Sequence, residues 1–199
     1  MSSRNFMDIL LNPFEDITSR NLLITGGLGF LLLSVLGYFL HFVNDGIINI
    51  HTSYPKEYWK YLVNGAINTG SLALLMYIYS LFVYPKARFQ DIITAVLISQ
   101  CALIIVVLLN FNPFSREILG GVIKQVENGN INDLKIEANS MILLSVLGLI
   151  SVLFLYYFFH LLVMGMKIAI NSHKVVHTII IVLLTLSLDV FLHIVYPYL

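Results

Sequence analysis

Apolar residues gather into five long runs, approximately Leu22–Val43, Leu62–Val83, Phe89–Phe111, Ser140–Met166 and Val175–Tyr196, divided by short polar stretches. A helix needs roughly 20 mostly apolar residues to cross about 30 Å of hydrocarbon, and every run meets that length. Their periodicity and length predict five transmembrane helices that fill more than half of the chain.

The polar stretches carry patterns of their own. Residues 3–11 set Phe6, Ile9 and Leu10 on one helix face with Asn5 and Asp8 opposite, an interfacial amphipathic pattern that Pro13 ends. Asp45-Gly46, Tyr54-Pro55, Tyr58 and Trp59 follow the first run, and the aromatic residues fit a headgroup belt anchoring the second helix. The tight turn Tyr84-Pro85-Lys86-Ala87-Arg88 joins the second and third runs as an antiparallel hairpin, and Lys167–Lys174 does the same for the fourth and fifth.

In the long loop, about residues 112–139, Ser115 is placed to cap a helix. Ile118, Leu119, Val122, Ile123 and Val126 stripe that helix, and Asn128-Gly129 stops it. The fold class expected is all-α: residues 1–199 form a single domain of five transmembrane helices with short interfacial amphipathic helices.

Composition narrows the function classes. Hydrophobic residues are 58% of the chain, charged residues 11%, and the mean hydropathy is +0.87. Soluble globular domains carry about 25% charged residues, so lipid is the expected solvent. A formal net charge of zero supplies no basic face for nucleic acid. Cys101 is the only cysteine, which excludes an internal disulfide and any cysteine-based metal or redox pair. Asp8, Glu15 and Asp16 precede the first run and no cleavage site follows it, so it is expected to be a retained span. Lys86 and Arg88 in one short turn, and Lys167 and Lys174 in the other, place those turns inside. The N-terminus is then inside and the C-terminus outside.

Ionisable groups inside spans are costly, so they mark candidate sites. Asp189 lies within the fifth run, with His193 one turn later on the same face. Asn64 and Asn68, also one turn apart, fall at nearly the same depths. His41 and Asn110 lie near the outer ends of the first and third runs. These six residues from four helices are expected to converge in the outer half of the membrane. They form either a ligand-binding cavity for a cation, proton or small solute, with Asp189 as the charged ligand, or a hydrogen-bonded cluster joining helices.

Other polar residues suggest packing. His173 and His177 are spaced i, i+4 but lack an evident third ligand, so a surface-facing pair is expected and no metal site. Gln100 and His160 are expected to bond neighbouring helices, and Ser145, Gly148 and Ser151 form a small-residue ridge suited to close helix contact. The chain lacks Gly-x-Ser-x-Gly, His-Glu-x-x-His, paired glutamates on a span and any phosphate-cradling loop, so neither catalysis nor a cofactor is expected.

Four segments together resemble the Yip1 family of five-span membrane proteins. They are Ile9-Leu10-Leu11-Asn12-Pro13-Phe14, the polar start of the second run at Trp59 and Asn64, the basic turn into Phe89-Gln90-Asp91-Ile92-Ile93, and Gly165-Met166-Lys167-Ile168-Ala169 with Lys174 beyond. The resemblance covers nearly the whole chain and implies an inside N-terminus. Eukaryotic members associate with Rab-type GTPases through a long N-terminal tail. The Asp-Leu-Tyr-Gly-Pro motif of those members is missing, and the segment before the first run is short, so GTPase binding is not expected. The resemblance is to a prokaryotic-type member in a bacterial inner membrane. The function expected is a non-catalytic scaffold, with membrane lipids and a protein partner or second copy as its contacts. The alternative is a small transporter or channel subunit built on the Asp189 cluster.

Overall fold

A computed structural model describes residues 6–52, 57–127 and 137–195, with side chains described from Ile9. Its elements are α1 (Phe6–Leu11), α2 (Pro13–Asp16), α3 (Ser19–Leu40), β1 (Phe42–Asn44), β2 (Ile50–Thr52), α4 (Tyr58–Val83), α5 (Phe89–Asn110), α6 (Pro113–Glu127), α7 (Ala138–Ala169) and α8 (Val175–Val195). Five of them, α3, α4, α5, α7 and α8, are long and apolar enough to cross a membrane. They coincide with the five predicted runs, and the helical fold class holds. Tyr54-Pro55, Asn128-Gly129 and Tyr196 lie outside the described residues.

One boundary is corrected. The first apolar run continues to Val43, but α3 stops at Leu40. His41 adopts a left-handed backbone, φ 48°, while its N–H still bonds Gly37 O. Histidine tolerates this region better than most residues, and one such residue reverses the chain. Phe42 and Val43 therefore belong to an antiparallel hairpin, with Phe42 opposite Thr52, Val43 opposite His51 and Asn44 opposite Ile50. The connection, residues 45–49, turns back into the helices, so that Ile47 is 1% exposed within the main core.

Two other local expectations change. Pro13 does not merely end α1; it opens α2, where its missing N–H leaves nothing unsatisfied. Asn112, rather than Ser115, caps α6: Asn112 Oδ1 accepts the Ser115 N–H at 2.9 Å. Pro113 then occupies the first helical position, and Ser115 is buried in the first turn. The α6 stripe is amphipathic as expected, with Leu119, Ile123 and Val126 exposed along it.

Helix α5 is the centre of the bundle. It packs most extensively against α7 and next against α3, with α4 alongside. Ala95 meets Gly165 near one end and Asn110 meets Ser151 near the other, so α5 and α7 run antiparallel. Gly26 of α3 lies against Leu97 of α5, at 2.7 Å from where a β-carbon would stand to Leu97 Cβ. Ile92, Val96 and Leu103 of α5 are buried with Leu72 and Met76 of α4 and with Phe158 and Leu162 of α7.

The expected small-residue ridge does not make the helix contact. Gly148 has no atom within 4 Å of its missing β-carbon, and exposed Ser145 bonds its own helix at Met141 O, 2.8 Å. Only Ser151 meets a neighbour, receiving the Asn110 amide at 2.8 Å. The first half of α7 is instead an apolar outer surface, with Met141, Ile142, Leu149 and Val152 each more than half exposed.

The loops divide between two ends of the bundle. The β-hairpin, α6 and the last turns of α8 share one, called the hairpin end. The Tyr84–Arg88 turn, the α7–α8 turn and the segment α1–α2 share the other, the turn end.

Candidate functional site at the hairpin end

Four of the six candidate residues meet around the loop that follows β1. Asn64 and Asn68, one turn apart on α4, aim their amides at the same backbone. Asn64 Nδ2 donates to Asn44 O, while Asn68 Nδ2 donates to Asn44 O at 2.8 Å and to Gly46 O at 2.9 Å. From the opposite side, Asp189 of α8 accepts the Ile48 N–H at 2.8 Å and, more loosely, the Asn49 N–H at 3.4 Å. The loop is thus gripped through its carbonyls by α4 and through its amides by α8. Gly46 is required at this closure, since a β-carbon there would overlap the Asp189 carboxylate.

His193 reaches the cluster through Asp45, which is not among the six candidates. Asp45, whose side chain is wholly buried, sits with Oδ2 2.7 Å from His193 Nδ1 and Oδ1 3.1 Å from His51 Nδ1. The imidazoles of His193 and His51 are 49% and 32% exposed, so the buried carboxylate is covered by two half-exposed rings. A carboxylate without such partners would be costly to bury. The available signal for Asp45 was local: Asp45-Gly46 stands between the short apolar runs Phe42-Val43 and Ile47-Ile48, a hairpin pattern. Its partner His193 is 148 residues away, and no spacing rule connects them.

The other two candidates lie elsewhere. His41 takes up the left-handed position that ends α3, and its Nδ1 is buried without a hydrogen bond to any described residue. Asn110 donates to Val106 O at 2.7 Å and to Ser151 Oγ at 2.8 Å, joining α5 to α7. The expected convergence of six residues is therefore a convergence of four, joined by Asp45 and His51.

The cavity beside the cluster is small. Its free volume of about 30 Å³, lined by Ser34, Tyr61, Asn64, Asn68, Thr69 and Gln100 among others, has room for about two ordered waters. Gln100 bonds a neighbouring helix as expected, with its Oε1 accepting the Thr69 hydroxyl at 2.9 Å. Both imidazoles turn Nδ1 toward Asp45 rather than toward a shared empty point. Among the described residues, no group of three His, Cys, Asp or Glu side chains could hold a metal ion.

One histidine expectation is revised at the turn end. His177 is not simply surface-facing, because its Nδ1 pairs with the Tyr79 hydroxyl at 2.6 Å, whereas His173 is exposed. His160 bonds a neighbouring helix as expected, reaching Leu11 O of α1 at 2.9 Å. Compared with known proteins, the chain matches no family model, no curated protein and no solved structure.

Proposed function

We propose that this chain is a non-catalytic integral membrane protein of scaffold or partner-binding type, with a prokaryotic Yip1-like organisation. Its five apolar helices would span a bacterial inner membrane, with the N-terminus and the turn end inside and the hairpin end outside. The observation that carries this reading is the use made of the polar cluster. Asn64, Asn68 and Asp189 spend their hydrogen bonds on the backbone of residues 44–49. The adjoining cavity has room for about two waters. Polar residues at membrane depth are tolerated when they satisfy one another or a buried backbone, as Asn64, Asn68 and Asp189 do here. The long exposed apolar faces of α7 and α8 support lipid as the surrounding solvent.

The test is a flux measurement with a stability arm. Purified protein in proteoliposomes is expected to pass protons and alkali cations no faster than empty vesicles. Asp189→Asn should lower the thermal midpoint in detergent and leave flux unchanged. A flux that disappears with Asp189→Asn, at unchanged stability, would establish the transporter alternative instead.

A further inference from the structure

The hairpin end holds a second feature, adjoining the clamp. The first turn of α6 is fixed to the end of α5, since Asn112 Nδ2 donates to Leu109 O at 2.7 Å while Asn112 Oδ1 caps the Ser115 N–H. This anchoring sets Arg116 facing the hairpin. Its Nε and Nη2 atoms are buried and have no hydrogen-bond partner among the described residues. Arg116 is one of the residues that line a groove of about 420 Å³ between α6, the end of α5 and the hairpin. Ile48, Ile50, Val106 and Leu119 form its apolar walls, and Asn49 and Asn110 its polar rim.

A guanidinium stays charged, and desolvated N–H groups without an acceptor are costly, so this edge calls for an anion. The Nε and Nη2 pair presents two parallel donors, the geometry that takes two oxygens of one phosphate. The mainly apolar walls favour an anion attached to hydrocarbon over one that arrives from water. Phe114, Leu119, Ile123 and Val126 of α6 are exposed, and such a helix lies with its apolar side in the acyl boundary of a bilayer. A lipid headgroup there is already beside the groove.

We propose that this groove binds an anionic phospholipid, with Arg116 on the phosphate and an acyl chain along Ile50, Val106 and Leu119. The proposal rests on the membrane reading given above.

Native mass spectrometry of the full chain in neutral detergent tests it, with dioleoylphosphatidylglycerol, dioleoylphosphatidylcholine and inorganic phosphate as separate probes. Phosphatidylglycerol should be retained about tenfold more tightly than phosphatidylcholine, and Arg116→Gln should remove that preference, as expected for loss of a charge-assisted pair. Arg20→Gln, an exposed arginine in the first turn of α3, should retain it. Leu119→Trp, which fills the groove and keeps the charge, should also weaken lipid retention. Equal retention by wild type and Arg116→Gln would overturn the proposal. So would competition by inorganic phosphate with Leu119→Trp unaffected, which would make the groove a site for free phosphate. Recovery of the unmodified chain as a monodisperse species in detergent-free buffer would instead remove the membrane reading beneath it.

Discussion

The two ends of this bundle are closed by different chemistry. At the hairpin end, the side chains of Asn64, Asn68 and Asp189 hold a loop by its backbone, and Asp45 is covered by His51 and His193. At the turn end, contact is mainly apolar and close. Phe14 of α2 and Ala95 of α5 press on Gly165 of α7, and two hydrogen bonds secure α1, from Tyr157 to Leu10 O at 2.7 Å and between His160 and Leu11 O at 2.9 Å. The difference follows from what each end must bury. A segment that turns back among apolar helices carries backbone N–H and C=O groups that need partners, and side chains at membrane depth supply them. A short helix satisfies most of its own backbone, so its docking depends on shape. The hairpin end is therefore sensitive to the loss of polar atoms, and the turn end to the gain of volume.

The largest expected effect is at the turn end. A β-carbon at Gly165 would lie 2.5 Å from Ala95 Cβ and 2.8 Å from Phe14 Cζ, with the Ala95 backbone at 3.1 Å. Gly165→Leu forces α5 and α7 apart and should cost about 3 kcal/mol, measured as a shift in unfolding by denaturant in mixed micelles. A change below about 1 kcal/mol, the lower bound for overpacking, would show that this contact yields freely and would break the contrast.

Asp189→Ala comes next. It leaves the Ile48 and Asn49 N–H groups without their acceptor and should cost about 2 kcal/mol. Its signature is local: backbone hydrogen exchange should rise through residues 42–52 while the Phe14–Gly165 contact keeps its protection. The single tryptophan, Trp59, stands in the first turn of α4 beside this end and should report the same loosening in its emission. Exchange that rises equally at both ends would mean that the clamp holds the whole bundle rather than the loop. Asn68→Ala removes donors to Asn44 O and Gly46 O, yet Asn64 still reaches the first of these. A smaller loss of about 1 kcal/mol is expected in the same assay.

Sequence legibility divides along the same line. The long helices were readable because length and hydropathy are local properties, and their ends fell within four residues of the apolar runs; only at the end of α3 does a different element take over. There the run continued through Phe42-Val43, and hydropathy does not distinguish a buried strand from more helix. Asn64, Asn68, Asp189 and His193 were found because polarity inside an apolar run stands out in one dimension. What they bind was not readable, since residues 44–49 follow the first run as a loop and Ile47 gives no sign that it returns to the core. His41 and Asn110 were grouped with the cluster by depth alone, and depth does not fix the side of a helix on which a residue lies.

Glycine on α7 gives the smallest expected effect and the sharpest control. Ser145, Gly148 and Ser151 follow one another at three-residue spacing, whereas Gly165 pairs with Ala169 alone, one turn on. The structure reverses their weight, because Gly148 faces open space while Gly165 is enclosed. Gly148→Leu should therefore change stability by less than about 0.5 kcal/mol, with any net gain coming from leucine's better helix propensity. The substitution is the same as at Gly165, on the same helix, so intrinsic propensity cancels and only the surroundings differ. If both variants lose stability equally, a neighbour covers the first half of α7 in the assembled protein, and a second copy of the chain becomes the first candidate to look for by crosslinking.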